Sequence, residues 1–178
     1  MNYLINRNVL FLHLLTADDS RPDLSGVHVN AGKAIGSDGT ILGSVECSGD
    51  WTGFLPTDAC KAVLNGAKRH HRFQVEQTDE NTFYLTRCDG VSFKVKDARY
   101  DPSRAPDFES VMGKEPTNAL DCPVGIDLSL LTRIQSYLKK VRVNEDLPLG
   151  TSFSFSEPLS PIMIECGPFK GLVMPCRL

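Results

Sequence analysis

A pattern of strand, helix and further strands occurs three times, and it limits the possible folds of this 178-residue chain more than any other feature. Each passage begins with a short apolar segment, continues with an amphipathic helix, and ends in short segments of alternating polarity. In the second helix, apolar residues recur at positions i, i+3, i+4 and i+7 from Cys60 to Ala67, as on one buried face. The pattern predicts helices over residues 6–17, 57–68 and 127–141.

Turn sequences between the predicted strands indicate how the sheets are built. Three helices, each followed by strands, are also compatible with a parallel β/α fold. However, Ser37-Asp38-Gly39 and Asp89-Gly90 join neighbouring strands directly, which favours antiparallel hairpins. We therefore predict an α+β fold with antiparallel sheets. The predicted strands cover residues 3–5, 24–30, 34–35, 41–45, 53–56, 73–77, 82–87, 91–95, 123–126, 152–155, 162–165 and 171–174.

Composition and charge exclude several classes of protein. The apolar fraction of 41% and the charged fraction of 23% are typical of a soluble globular domain. The longest apolar run, from Val9 to Leu15, is interrupted by His13 and is too short to cross a bilayer, and no secretory signal is recognisable, so we expect a cytoplasmic protein. The net charge of −3 excludes a wholly basic protein that coats nucleic acid, but it allows one basic face.

The cysteines give no sign of a metal site. They stand at positions 47, 60, 88, 122, 166 and 176, and none forms a C-x-x-C pair. A structural zinc site needs ligands that lie closer together in pairs. We expect buried, reduced thiols, with no bound metal and no cofactor.

Enzymatic interpretations have little support in the sequence. His70-His71 could form a Cys/His pair with Cys60 or Cys88, as in an unrelated hydrolase, but these histidines stand in a charged run typical of a solvated loop. Asp18-Asp19 could bind a metal, yet the end of a helix explains it more simply. Phosphate-binding and serine-nucleophile motifs are missing from the sequence. We therefore expect a protein that is not an enzyme.

Short motifs in a fixed order carry more information than the repeat. The sequence SRPDLSGV at residues 20–27 is followed by SDG at residues 37–39. KDARY at residues 96–100 leads to PDFESV at residues 106–111, and the chain ends in GLVMPCRL at residues 171–178. These stretches resemble the R-P-x-L-x-G-V … T-D-G-H-R-L, D-G-R-F-P-D-Y-x-x-V and M-P-x-R-L segments of the bacterial sliding clamps, the β subunits of DNA polymerase III.

The resemblance implies the DNA-clamp fold, in which β-α-β-β-β units have antiparallel sheets and helices on one face. Three such units fit this chain. We expect a clamp-like domain of two units over residues 1–112, a connector over residues 113–119 and a half domain of one unit over residues 120–178. The clamps of this family have six units and close as a ring of two chains. Because this chain has fewer units, we expect a homo-oligomer, either a dimer or a tetramer, that assembles through residues 120–178.

The resemblance also implies two binding sites. Clamp helices line a hole around duplex DNA, so the basic residues on the outer helix faces are candidates for sequence-independent phosphate contacts, although such residues also form ordinary solvated faces. The DNA candidates are Arg7, Lys61, Lys68, Arg72, Arg133, Lys139 and Lys140. A second site would bind short peptide motifs of polymerases or repair proteins in a groove. The groove candidates are Ser37, Gly39, Thr40, Ile41, Leu42, Leu172, Val173, Met174, Pro175, Cys176, Arg177 and Leu178.

Two functions remain open at this point. The first is a sliding-clamp-like processivity factor that encircles or cradles duplex DNA and tethers polymerase or repair proteins. The alternative is a clamp homologue that forms no ring and acts as an adaptor or inhibitor, binding the partners of the clamp or the clamp itself. In either case the sequence departs from the family at Thr40-Ile41, where the clamps have His-Arg.

Overall fold

The computed structural model describes most of the chain and shows three repeated units of helix and strands. The described residues are 2–18, 21–30, 32–47, 49–79, 82–96, 107, 110–111, 125–145, 150–154 and 160–176, with the backbone alone at 142–145. None of the helices in these residues is long and apolar enough to cross a bilayer.

Each unit combines one helix with strands that follow it. The first unit contains β1 (Asn2–Ile5), α1 (Arg7–Phe11), β2 (Gly26–Asn30), β3 (Lys33–Ser37) and β4 (Ile41–Glu46). The second unit contains β5 (Gly53–Pro56), α2 (Thr57–Leu64), β6 (Phe73–Asp79), β7 (Thr82–Arg87) and β8 (Ser92–Val95). The third unit contains α3 (Leu128–Glu145), β9 (Ser152–Ser154), β10 (Ile162–Cys166) and β11 (Phe169–Val173). Short 3-10 helices occupy Leu12–Leu15 and Pro22–Leu24.

The strands form two antiparallel sheets. The smaller sheet has the order β1-β6-β7-β8, and the larger sheet has the order β5-β2-β3-β4-β11-β10-β9. The first two units exchange their leading strands, because β1 pairs with β6 and β5 pairs with β2. The helix α1 contacts α2 and α3, and the helices pack against strands of both sheets. The predicted α+β fold with antiparallel sheets is therefore confirmed.

One apolar core joins the helices to both sheets. Leu10 in the first unit, Val63 in the second and Tyr137 in the third are completely buried in it. The ring centroids of Tyr137 and Phe169 lie 4.8 Å apart, which ties α3 to the strand β11 beneath it. Burial of large apolar side chains from all three units means that the third unit is packed as part of this core.

The third unit joins the first at the ladder between β4 and β11. There Gly43 lies opposite Gly171, and the ring of Phe169 packs over both positions. A Cβ atom at Gly43 would lie 2.7 Å from ring atom Cε2, and one at Gly171 would lie 2.7 Å from ring atom Cζ. Since such contacts are too close for carbon atoms, any larger residue at either position would displace the ring. The junction therefore depends on this pair of glycines.

Several predicted boundaries were wrong because side chains end the elements early. The first α-helix ends at Phe11 and continues as the 3-10 helix Leu12–Leu15. This 3-10 helix ends before Thr16, which is extended and whose hydroxyl donates to the carbonyl of His13 at 2.8 Å. The second helix ends at Leu64 rather than at residue 68. Its last carbonyl groups bind the buried guanidinium of Arg87, which donates to the Val63 carbonyl at 2.8 Å and the Asn65 carbonyl at 2.6 Å.

Other boundaries differ by a few residues. The third helix continues beyond residue 141 to Glu145. The strand predicted from residue 24 begins at Gly26, because the preceding residues form a 3-10 turn. The last strand covers Phe169–Val173 instead of residues 171–174. Of the strand predicted at 123–126, Gly125 forms one bridge to Cys176, and residues 123–124 lie outside the described residues, as does the predicted connector at 113–119.

Candidate functional site

A cavity of about 220 Å³ lies between the turn that joins β3 to β4 and the end of β11. It combines apolar walls with a few polar groups at the turn, a composition typical of pockets that bind organic ligands or peptide side chains. The described residues that line it are Leu24, Ser37, Gly39, Thr40, Ile41, Leu42, Asp107, Val111, Leu172 and Met174. We call this cavity the groove.

Hydrogen bonds within the turn fix its conformation. The hydroxyl of Ser37 donates to the carbonyl of Ile41 at 2.8 Å and accepts the N–H of Gly39 at 3.1 Å. Gly39 has a φ of 90°, which side chains other than glycine rarely adopt. The sequence Ser-Asp-Gly thus supplies the hydroxyl, the carboxylate and the backbone freedom that this turn requires.

The carboxylate of Asp38 stabilises the turn through hydrogen bonds and one ion pair. Its Oδ1 accepts the N–H of Thr40 at 2.7 Å, the hydroxyl of Thr40 at 2.7 Å and the N–H of Ile41 at 2.8 Å. Its Oδ2 forms an ion pair with the guanidinium of Arg133 on α3. Burial alone would raise the pKa of Asp38, but these hydrogen bonds and the charge of Arg133 outweigh it and lower the pKa below 3.8.

We expect the contribution of Asp38 to stability to disappear in acid. Because the pKa of Asp38 is lower in the folded protein, its stabilisation is complete above the unfolded-state value and is lost as the pH falls through the folded-state value. Asp38→Asn should therefore lower the free energy of unfolding by about 1 to 2 kcal/mol at neutral pH. Urea denaturation should show this difference shrinking below about pH 4. A difference that stays constant down to pH 2 would contradict the assignment.

The end of β11 forms the opposite wall of the groove. Val173 pairs with Ile41 and Leu172 with Leu42, and beyond the ladder the N–H of Met174 donates to the carbonyl of Thr40 at 2.9 Å. The side chain of Met174 is 42% exposed although it is large and apolar. A flexible, polarisable side chain at this place can adapt to apolar ligands of different shapes.

Seven of the twelve residues predicted for the groove line it in the described part of the chain. The seven are Ser37, Gly39, Thr40, Ile41, Leu42, Leu172 and Met174. Val173 is completely buried and faces the core, because side chains alternate along β11. Pro175 and the exposed Cys176 are not part of its lining. Arg177 and Leu178 lie outside the described residues.

The prediction missed three residues of the groove, namely Leu24, Asp107 and Val111. Each belongs to one of the stretches that resemble the clamps, since Leu24 lies in SRPDLSGV and the other two lie in PDFESV. The sequence therefore contained a signal for these three residues, because they lie in family motifs. The groove was predicted only from the turn and the tail. Three stretches that are far apart in the sequence therefore meet at one cavity.

The basic residues predicted to face DNA fall into two groups. Lys61, Lys68, Arg72, Lys139 and Lys140 are exposed. Lys61 lies on α2, 3.9 Å from the carboxylate of Asp58 one turn before it, and Lys139 lines a second cavity beside α3. Lys139 and Lys140 lie on α3, whereas Lys68 and Arg72 lie between α2 and β6. Exposed cations of this kind can neutralise phosphates without reading bases.

Arg7 and Arg133 have structural contacts that were not predicted. Arg7 donates to the carbonyls of Lys68 at 2.6 Å and Ala67 at 2.9 Å, and its guanidinium lies 5.4 Å from the ring centre of Phe11. Arg133 donates to the carbonyls of Leu14 at 3.2 Å and Thr16 at 2.8 Å, in addition to its ion pair. Through these contacts the partly exposed guanidinium groups of Arg7 and Arg133 hold segments of the chain together.

Cys60 and Cys88, the cysteines considered as partners in a Cys/His pair, lie in different environments. Burial raises the pKa of the Cys60 thiol to about 12, so it is a poor nucleophile. Cys88 is exposed, and its sulfur accepts the N–H of Arg72 at 3.5 Å. Within the described residues no group of three or more metal-ligating side chains could hold an ion.

The comparisons with known proteins agree on one fold. No protein-family model matches the sequence, and no curated protein matches it. Solved structures do match, among them the Helicobacter pylori beta clamp bound to a DNA ligase peptide, at 13% identity and a TM-score of 0.71 over 99% of this chain and 66% of that chain. The Caulobacter crescentus sliding clamp gives 13% identity and a TM-score of 0.69 over 99% of this chain and 65% of that chain.

A third match extends the agreement to another genus. The DNA polymerase III subunit beta of Pseudomonas aeruginosa gives 14% identity and a TM-score of 0.63 over 100% of this chain and 67% of that chain. This chain thus spans about two thirds of the length of the clamps that it matches. The resemblance seen in the motifs is confirmed, and the chain has the DNA-clamp fold of the bacterial DNA polymerase III β subunits.

Proposed function

We propose that this protein is a sliding-clamp-like processivity factor. It would hold duplex DNA loosely against basic helix surfaces and tether polymerase or repair proteins through short peptides bound in the groove. The observation that carries this proposal is the meeting of three clamp-like stretches at one cavity. A partner peptide is a reasonable occupant, because the Helicobacter pylori neighbour was solved with a DNA ligase peptide.

The chemistry of the groove favours peptides with apolar anchors. Leu24, Val111 and Met174 contribute apolar wall, while Asp107 adds a carboxylate. Thr40-Ile41 stands where the clamps have His-Arg, so the positive charges of the family pocket are absent at these two positions. We therefore expect apolar or basic motifs to bind better than acidic ones.

The proposed action on DNA is topological and involves no catalysis, no metal and no cofactor. The exposed lysines would contact phosphates regardless of sequence, and the protein would act in the cytoplasm. In a closed ring, the three units described here would have to join units of additional copies. We accordingly propose a homo-oligomer, either a dimer or a tetramer.

The groove also fits a second candidate function. A protein that has this groove and forms no ring could act as an adaptor or an inhibitor that binds the partners of the clamp, or the clamp itself. The two functions differ in their retention on DNA. A ring should stay on closed circular DNA and slide off linear DNA, whereas an adaptor should show no such difference.

We expect Met174→Glu to abolish most peptide binding. The substitution places a charge in the apolar wall of the groove, where one buried anchor contributes about 2 kcal/mol, equivalent to about a 30-fold change in affinity. Fluorescence anisotropy with the labelled Helicobacter pylori DNA ligase peptide measures this change.

Val91→Glu is the matched control, because Val91 is also an exposed apolar residue but lies in the hairpin between β7 and β8. It should leave the affinity for the peptide unchanged. If the wild-type protein binds no such peptide, or if both variants bind equally well, the groove is a feature of packing and not a working site.

A further inference from the structure

The first two units of this chain show how one clamp-like unit covers another. The strand after each helix, β2 in the first unit and β6 in the second, has its outer edge paired with the leading strand of the other unit. The arrangement is reciprocal, and α1 contacts α2 across it. Reciprocal contacts between like surfaces are the mark of two-fold packing.

The third unit presents the same edge without such a partner in the described residues. Its strand order β9-β10-β11 corresponds to β2-β3-β4, and the ladder between β4 and β11 joins the last strands of the two units. The strand that follows the helix is therefore β9, which forms the outer strand of the larger sheet. An edge strand of this kind exposes backbone groups that can pair with another chain.

An apolar surface of α3 lies next to this edge. A cavity of about 550 Å³ opens between α3 and β9, lined in part by Leu128, Leu131, Leu138 and Phe153. Leu128 is 73% exposed and Phe153 is 45% exposed. In the first unit the corresponding space beside the helix is covered by the second unit. We call this region the α3–β9 surface.

We propose that a second copy of this chain covers the α3–β9 surface with its own α3–β9 surface, so that two third units complete one clamp-like domain. The occupant follows from the pairing of units one and two, in which two units of the same kind cover each other reciprocally. The polar residues at this surface suit self-association, because Gln135 can donate and accept hydrogen bonds and the Thr132 hydroxyl, which donates to the carbonyl of Leu128 at 3.0 Å, can accept one. Lys139 is charged among the described lining residues, and its long side chain can reach solvent at the rim.

The proposal rests on the homo-oligomer of the proposed function and names its interface, and its evidence is the repeat within the fold rather than DNA or peptide binding. Sedimentation velocity of the full chain over a range of concentrations tests it. Wild-type protein should form a dimer or a larger assembly with an even number of copies at tens of micromolar. The variant Leu128→Glu with Phe153→Glu should raise the dissociation constant by about 100-fold or more, because each copy brings two charges into an apolar interface.

Leu4→Glu is the matched control, since Leu4 is 62% exposed and lies on β1 in the other sheet. It should assemble like the wild type. Thr132→Arg, at an exposed position of the α3–β9 surface, gives a second test should the double variant fold poorly by circular dichroism. A wild-type monomer throughout the range, or assembly unaffected by the double variant and Thr132→Arg, would overturn the proposal.

Peptide binding separates this result from the proposed function. The groove is built within one chain from the β3–β4 turn and β11, so a monomeric variant should still bind the ligase peptide. Loss of assembly with retained peptide binding would support the α3–β9 surface alone. Retained assembly with no peptide binding by any variant would reject the groove while leaving the interface in place.

Discussion

Replacing Lys61, Lys68 and Lys140 with glutamate is expected to abolish measurable binding to duplex DNA. All of these side chains are exposed, so their replacement should not disturb the core. Each lost phosphate contact should reduce the slope of log affinity against log salt by about 1, and together they should weaken binding about 100-fold or more at low salt. Anisotropy of a labelled duplex at several salt concentrations measures both quantities.

A second triple variant controls for the change in net charge. Lys94, Lys96 and Lys170 are also exposed, but they lie on or next to strands and are not among the predicted DNA contacts. Their replacement with glutamate changes the net charge equally and should leave most of the binding and its salt dependence intact. If both triple variants bind DNA alike, the effect is one of bulk charge, and if neither differs from the wild type, the lysines are ordinary solvated residues.

Replacing Arg133 with methionine is expected to destabilise the fold and to weaken peptide binding together. The substitution keeps the aliphatic stem but removes the donors to Leu14, Thr16 and Asp38. Because Arg133 and Asp38 are largely withdrawn from solvent, the lost hydrogen bonds should lower the free energy of unfolding by about 2 to 3 kcal/mol. Since Asp38 fixes the turn that lines the groove, the affinity for the ligase peptide should fall as well.

Arg133→Lys separates charge from geometry in this network. Lysine keeps the positive charge, but it cannot place several donors in the plane of a guanidinium. We expect an intermediate loss of stability by urea denaturation and an intermediate loss of peptide affinity. If Arg133→Met left both quantities unchanged, Arg133 would be a surface residue of the kind that the helix pattern alone suggested, and its contacts would contribute nothing to the turn.

Local chemistry made much of the fold predictable from the sequence. The apolar spacing of the second helix and the hairpin signal Asp89-Gly90 lie within one element or one turn, where neighbouring residues decide the structure. The ends of elements were less predictable. Arg87 terminates α2 from a strand more than twenty residues away, and no rule about the helix sequence includes that contact.

In the candidate site, too, residues within a local motif were predicted, and contacts between distant segments were not. The turn residues and, from the tail, Leu172 and Met174 were predicted because each stretch forms a continuous motif, whereas Asp107 joins the groove through tertiary packing. Arg133 was predicted to face outward because it lies off the apolar stripe of α3. The helical pattern cannot show that the carbonyl groups of Leu14 and Thr16 lie within hydrogen-bond distance of the Arg133 guanidinium. Helical periodicity assigns a face to a residue, but it does not identify what packs against that face.

The ladder between β4 and β11 has a consequence for the order of folding. Its two strands lie far apart in the sequence, so they cannot pair until β11 has been synthesised. The first two units contain their own reciprocal strand pairs and can form earlier, with shorter loops to close. Before β11 has paired, this edge of β4 has no partner strand and one wall of the groove is missing. A nascent chain would therefore become able to engage a partner through the groove only after β11 has been synthesised and has paired with β4.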